Sequence, residues 1–119
     1  MVNQDKLQLE RLDYMNIEQN KLLENYIKND DRENLIILAL DHEDKIDLNK
    51  IADYFIKIKD SFYICELICT SSEYLDLEII LKKIIDTKDK TFMFFILTNE
   101  SLKSVINEKY LTRLDKDII

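Results

Sequence analysis

Apolar residues recur along this chain in two alternating textures. In the first they are spaced and separated by polar residues. Leu48, Ile51, Ala52, Phe55 and Ile56 stand at i, i+3, i+4, i+7 and i+8, the stripe of an amphipathic helix. Leu22-Leu23-Tyr26-Ile27 and Ile80-Leu81-Ile84-Ile85 carry the same stripe. These positions predict helices over about Ile17–Lys28, Leu48–Lys57 and Leu77–Asp86. In the second texture the apolar residues run densely, over Leu35 to Leu40, Phe62 to Cys69 and Phe92 to Leu97. Such runs fit buried helices or buried parallel strands, and periodicity alone does not separate the two.

The two textures alternate with a period. A shift of 29 residues lays the chain on itself without insertion or deletion. Asp31, Asp60 and Asp89 coincide, as do Leu35-Leu38-Ala39, Ile64-Leu67-Ile68 and Met93-Ile96-Leu97. A period between about 20 and 50 residues marks a stacked-repeat architecture. The matched positions inside the dense runs keep helical spacing. Each aspartate stands where an N-cap accepts the orphan N–H groups of a following helix. Both points favour helices, while Phe92-Met93-Phe94-Phe95 has high strand propensity. The expectation is an all-α fold, a right-handed α-solenoid of two-helix repeats at about 17–45, 46–74 and 75–103, in one domain spanning 1–119. The alternative is an α/β chain with three parallel strands.

The ends fit capping helices, at about 4–15 and 102–115, that shield the open faces of such a stack. Lys6 to Met15 carries Leu7, Leu9, Leu12 and Met15, and Asn16-Ile17-Glu18-Gln19 reads as a capping box. Leu102 to Leu114 predicts a closing helix with Val105, Ile106, Tyr110 and Leu114 on one side.

Composition narrows the function. The chain has no glycine and no proline, where one of this length carries roughly 14 together. Gly-rich phosphate loops are thereby excluded. The net charge is −7, which leaves no basic stripe for nucleic acid and no attraction to an anionic membrane. It favours a basic protein partner. The first residues do not read as a signal peptide, and no run of about 18 apolar residues predicts a membrane span. Two cysteines in such a chain fit reduced thiols and a cytoplasmic location.

The turns between paired elements are Lys28-Asn29-Asp30-Asp31, Lys57-Ile58-Lys59-Asp60 and Asp86-Thr87-Lys88-Asp89. Through them the chain resembles HEAT-type α-solenoids with short repeats. That family usually places Gly-Asp-Pro here; this sequence keeps the aspartate and lacks the glycine and proline. Thr98-Asn99-Glu100-Ser101 through Leu114 resembles the family's loop into its last helix, so the likeness covers about residues 17–114. Small acidic HEAT-like proteins resemble immunity proteins that neutralise a bacterium's own toxins. Some of those carry a His-Glu-Asp segment between early helices, which His42-Glu43-Asp44 echoes. The resemblance implies a non-enzymatic inhibitor that covers the active site of a basic toxin, for example a nuclease.

Candidate chemistry reduces on inspection to structure. Cys65 and Cys69 are i, i+4, but their counterparts at the 29-residue shift are mostly apolar, so small buried thiols are expected. With one histidine and no third cysteine, a zinc site lacks ligands. His42, beside Asp41, Glu43 and Asp44, reads as a solvated loop residue without a nucleophile. Asp31 is a cap rather than half of a catalytic carboxylate pair.

Two distributions survive. The joins Asp41–Asp47, Thr70–Asp76 and Asn99–Ser101 carry Asp41, Glu43, Asp44, Asp47, Glu73, Asp76 and Glu100 against Lys45 alone. Solvated loops and helix caps explain these charges as well as a binding edge does. Aromatic residues also stand where counterparts are mainly polar: Tyr54 against Asn25 and Lys83, Phe62 against Glu33 and Thr91, Phe95 against Ile37 and Glu66. Packing against terminal helices is the competing reading. The expected partner-binding residues are Asp41, Glu43, Asp44, Asp47, Glu73, Asp76 and Tyr54, with no catalytic residue, metal or cofactor. The expected partner is a basic protein, with no nucleic acid, membrane or small-molecule substrate. A helical adaptor joining two proteins is the rival function, and an enzyme fits only the strand alternative.

Overall fold

A computed structural model describes residues 17–118, and every regular element among them is helical. The dense runs Leu35–Leu40, Phe62–Cys69 and Phe92–Leu97 are helices, which sets aside the alternative with three parallel strands. The described residues form α1 (17–28), α2 (Arg32–Asp41), α3 (Leu48–Lys57), α4 (Ser61–Ser71), α5 (Leu77–Asp86), α6 (Lys90–Leu97), α7 (Glu100–Lys103) and α8 (Glu108–Ile118). A 3₁₀ turn, Ser72–Tyr74, follows α4. The expected helix at 4–15 and Asn16 of the capping box lie outside the described residues. The chain divides into two compact units, Met1–Asp47 and Leu48–Ile119.

Aspartates start the densely apolar helices. Asp31, Asp60 and Asp89 accept hydrogen bonds from the backbone N–H groups of Asn34, Tyr63 and Phe92 at 3.4, 3.0 and 3.0 Å. Each bond satisfies one donor left over by the first turn, worth about 1 kcal/mol. The residue before each aspartate takes the left-handed conformation: φ is 52° at Asp30, 57° at Lys59 and 56° at Lys88. That conformation ends the preceding helix. Asp30 N–H donates to Ile27 O at 3.1 Å and Asp31 N–H to Tyr26 O at 2.8 Å. Lys59 and Asp60 make the same two bonds, to Ile56 O and Phe55 O, at 3.0 and 2.9 Å. This is the Schellman pairing. At the third turn Lys88 N–H donates to Ile85 O at 3.0 Å, and the Thr87 hydroxyl donates to Ile84 O at 2.6 Å while accepting from Asp89 N–H at 3.3 Å. At the first two turns one aspartate thus closes one helix and opens the next, while at the third Thr87 and Lys88 close α5 and Asp89 opens α6, so the joins are short without glycine.

In the first unit, Leu23, Leu35, Leu38 and Ala39 are buried, while Ile17, Leu22, Ile37 and Leu40 stay exposed. In the second unit α3 contacts α4 and α5, α4 contacts α6 and α7, and α8 rests on α5 and α6. The α3 stripe Leu48, Ile51, Ala52, Phe55 and Ile56 is buried as its spacing predicts. Phe55 is fully buried and stacks on Tyr63 with ring centroids 5.6 Å apart. Its burial is worth about 1.5–3 kcal/mol. Where α8 covers the end of this core, Ile68, Ile84, Ile96 and Leu114 help line a wholly apolar cavity of about 20 Å³. A water there would find no polar partner.

The closing helix predicted over Leu102–Leu114 is instead two helices. Asn99 caps α7 by accepting from Leu102 N–H at 2.9 Å, and Asn107 accepts from Lys109 N–H at 3.1 Å at the start of α8. Between them Ser104 turns its hydroxyl back onto Ser101 O at 2.7 Å. Two asparagine caps with a β-branched pair, Val105-Ile106, between them favour a break over one continuous helix.

Candidate functional site

The acidic residues expected to bind a partner fall in two places. Asp41 ends α2, and Glu43, Asp44 and Asp47 follow it before α3 begins; Glu43 is half-buried and the other three are exposed. These four belong to the first unit. In the same loop His42 is half-buried rather than solvated. Its N–H donates to Leu38 O at 3.0 Å, and its Nδ1 is buried with no hydrogen-bond partner.

Glu73 and Asp76 belong to the second unit. Glu73 lies on the 3₁₀ turn, and Asp76 is the N-cap of α5, accepting from Ile79 N–H at 3.3 Å. The fold brings these two together. Both line a shallow depression of about 520 Å³, whose walls also include Tyr74, Leu75 and Leu77 and, from α8, Tyr110. Tyr74 is 53% exposed and Tyr110 half-buried. The nearby guanidinium of Arg113, one turn on from Tyr110, is held by Glu78 at 2.6 Å. It is therefore engaged outside the pair Glu73 and Asp76.

Tyr54, the remaining expected site residue, is on α3 and half-buried, with its ring centroid 6.0 Å from that of Phe55. The two other aromatic departures, Phe62 and Phe95, are exposed, at 60% and 55%. Phe94, beside Phe95 with ring centroids 6.1 Å apart, is exposed as well. Sequence reading missed Tyr74 and Tyr110. A signal for Tyr74 did exist: the 29-residue shift sets it against Lys45 and Lys103. Nothing in the sequence places Tyr110 beside it.

The cysteines are free thiols, Cys65 buried and Cys69 half-buried. Burial pushes the Cys65 thiol up to about 12, and burial followed by the Glu66 charge raises Cys69. Neither is a thiolate nucleophile at neutral pH. Among the described residues no three His, Cys, Asp or Glu side chains group to hold a metal ion. The Asp89 carboxyl is shifted. It is held below the usual carboxylate range, first by the Phe92 N–H bond and then by Lys59 at 3.0 Å. Capping of α6 and the Lys59 pair account for it. Among the described residues no helix is long and apolar enough to cross a membrane.

No protein family, curated protein or solved structure matches this chain.

Proposed function

We propose that this chain is a protein-binding inhibitor, an immunity protein that neutralises a basic bacterial toxin by covering its active site with an acidic surface. In this reading the domain is a short HEAT-like α-solenoid, acting in the cytoplasm and carrying no catalytic activity of its own. The observation that carries the reading is the surface of the second unit, where Glu73 and Asp76 flank the exposed Tyr74 in a shallow depression. Carboxylates beside an exposed aromatic ring offer a basic protein both steering and an anchor. The acidic loop Asp41, Glu43, Asp44 and Asp47 and the net charge of −7 add to the long-range attraction. The solenoid reading is supported by the left-handed turns at Asp30, Lys59 and Lys88 and by the aspartate cap that follows each. The first of these positions in each turn is where the HEAT-type pattern has glycine.

The test is recovery of the basic protein that co-purifies with this chain from its host, followed by expression of that protein in cells lacking the chain. Killing that is relieved by restoring the chain supports the proposal. With the purified pair, Asp44→Lys combined with Asp47→Lys should slow association strongly at low salt. A partner that is harmless on its own would overturn the inhibitor reading in favour of the adaptor. An association rate indifferent to the double charge reversal would remove the Asp41–Asp47 loop from the binding surface.

A further inference from the structure

We infer that the depression formed by Glu73, Tyr74, Asp76 and Tyr110 receives a single cationic side chain, an arginine or lysine, presented by the partner protein. The inference rests on the proposed binding of a basic protein and names the group that the surface would grip.

The chemistry of the walls points to that occupant. Two tyrosines, Tyr74 and Tyr110, and two carboxylates, Glu73 and Asp76, line it together with Leu75 and Leu77. A guanidinium or ammonium is the common group that gains from a ring face and a carboxylate together. An anion is repelled by Glu73 and Asp76. A purely apolar side chain would desolvate both carboxylates without compensation. The chain's own nearby guanidinium does not serve, since Arg113 is bound to Glu78 at 2.6 Å. Asp76 already accepts from Ile79 N–H, but a carboxylate has about four acceptor positions, so it keeps capacity for a second donor. The turn also holds Tyr74 out in solvent at a position where the 29-residue counterparts, Lys45 and Lys103, are themselves cations. Tyr74 therefore brings no positive charge of its own to the site.

The depression is shallow and open, so a side chain on the surface of a folded partner can reach it. An arginine is the better fit of the two, because its planar group can lie on a ring and reach a carboxylate at once.

The experiment titrates the full chain, labelled with ¹⁵N, with the peptide Ac-Ala-Arg-Ala-NH₂ and, separately, with the same peptide carrying citrulline, which keeps the shape and loses the charge. Saturable shifts centred on residues 72–77 and 110 with the arginine peptide only are the expected result. Tyr74→Ala should weaken that binding about 2–5-fold, the size of an exposed cation–π contact. Tyr74→Phe, which keeps the ring, should restore it. Equal binding of the citrulline peptide would overturn the inference. So would shifts spread evenly over all the acidic residues, which would mean diffuse charge attraction, or a Tyr74→Ala chain that binds unchanged while still folded by its ¹⁵N spectrum. The peptide result stands apart from the killing assay. A specific arginine site with no toxin partner would retain this inference and remove the immunity reading. A toxin partner indifferent to Tyr74→Ala would do the reverse.

Discussion

Replacing Lys88 by glycine should make the protein more stable. Lys88 is exposed and sits at φ 56°, the left-handed region, at the end of α5. There a Cβ crowds the following carbonyl, at about 1–2 kcal/mol. Glycine removes that crowding but gives the unfolded chain extra freedom, which costs about 0.5–1 kcal/mol. The net gain is about 0.5–1 kcal/mol. The bond that ends the helix, Lys88 N–H to Ile85 O at 3.0 Å, is a backbone bond that glycine keeps. The other two turns supply graded controls. Lys59 has the same φ, but its ammonium is 3.0 Å from Asp89. Losing that exposed pair gives back about 0–1 kcal/mol, so Lys59→Gly should gain less. Asp30→Gly loses two bonds from the Arg32 guanidinium, at 2.8 and 2.9 Å, and should gain least. Lys88→Ala retains the Cβ and should gain nothing. Urea unfolding followed by circular dichroism reads these differences. With a slope of about 1–3 kcal/mol per molar urea, Lys88→Gly should move the midpoint upward by a few tenths of a molar at unchanged slope. A lower midpoint for Lys88→Gly, or an equal rise for Lys88→Ala, would refute the reasoning.

Two further outcomes follow from the charges and thiols. The Asp89 carboxyl should titrate below the ordinary value of about 3.9 in a carbon-13 NMR titration. Because its folded pKa is the lower one, its stabilising contribution is complete above the unfolded value and is lost as pH falls through the folded one. Lys59→Met should raise the Asp89 pKa only part of the way, since the Phe92 N–H bond is the larger cause; full recovery would contradict that ranking. With a disulfide reagent at pH 8, Cys69 should react first and Cys65 only as the helix opens, at a rate that climbs with urea. Faster labelling of Cys65 in the native protein would show that α4 is not packed as described.

The parts of the fold legible in the sequence were those that local chemistry decides. Asp31, Asp60 and Asp89 could be read as caps because a cap depends on its own next three residues. The α3 stripe was visible because its buried and exposed sides differ in polarity. The type of α2, α4 and α6 was not fixed by pattern alone, and the reason lies in their outer faces. Ile37 and Leu40 on α2, Phe62 on α4 and Phe94 and Phe95 on α6 are apolar yet exposed. With apolar residues on both sides, a helix loses the alternation that would announce its period. The break before α8 was hidden because it depends on two competing asparagine caps rather than on a glycine or proline. The acidic half of the candidate site was legible as charge. Its aromatic half was not, since Tyr110 arrives from the far end of the chain only when α8 packs on α5 and α6.

The exposed rings of α4 and α6 carry a consequence for the protein as a colloid. Phe62, Phe94 and Phe95 put apolar surface in water, and the net charge of −7 opposes contact between two copies through it. That repulsion vanishes near the isoelectric point of 4.7 and is shortened to about 3 Å in molar salt. Mild acid or high salt therefore turns these helix faces from a tolerated exposure into a contact between molecules. A bound partner that covers the rings would make the same solution stable.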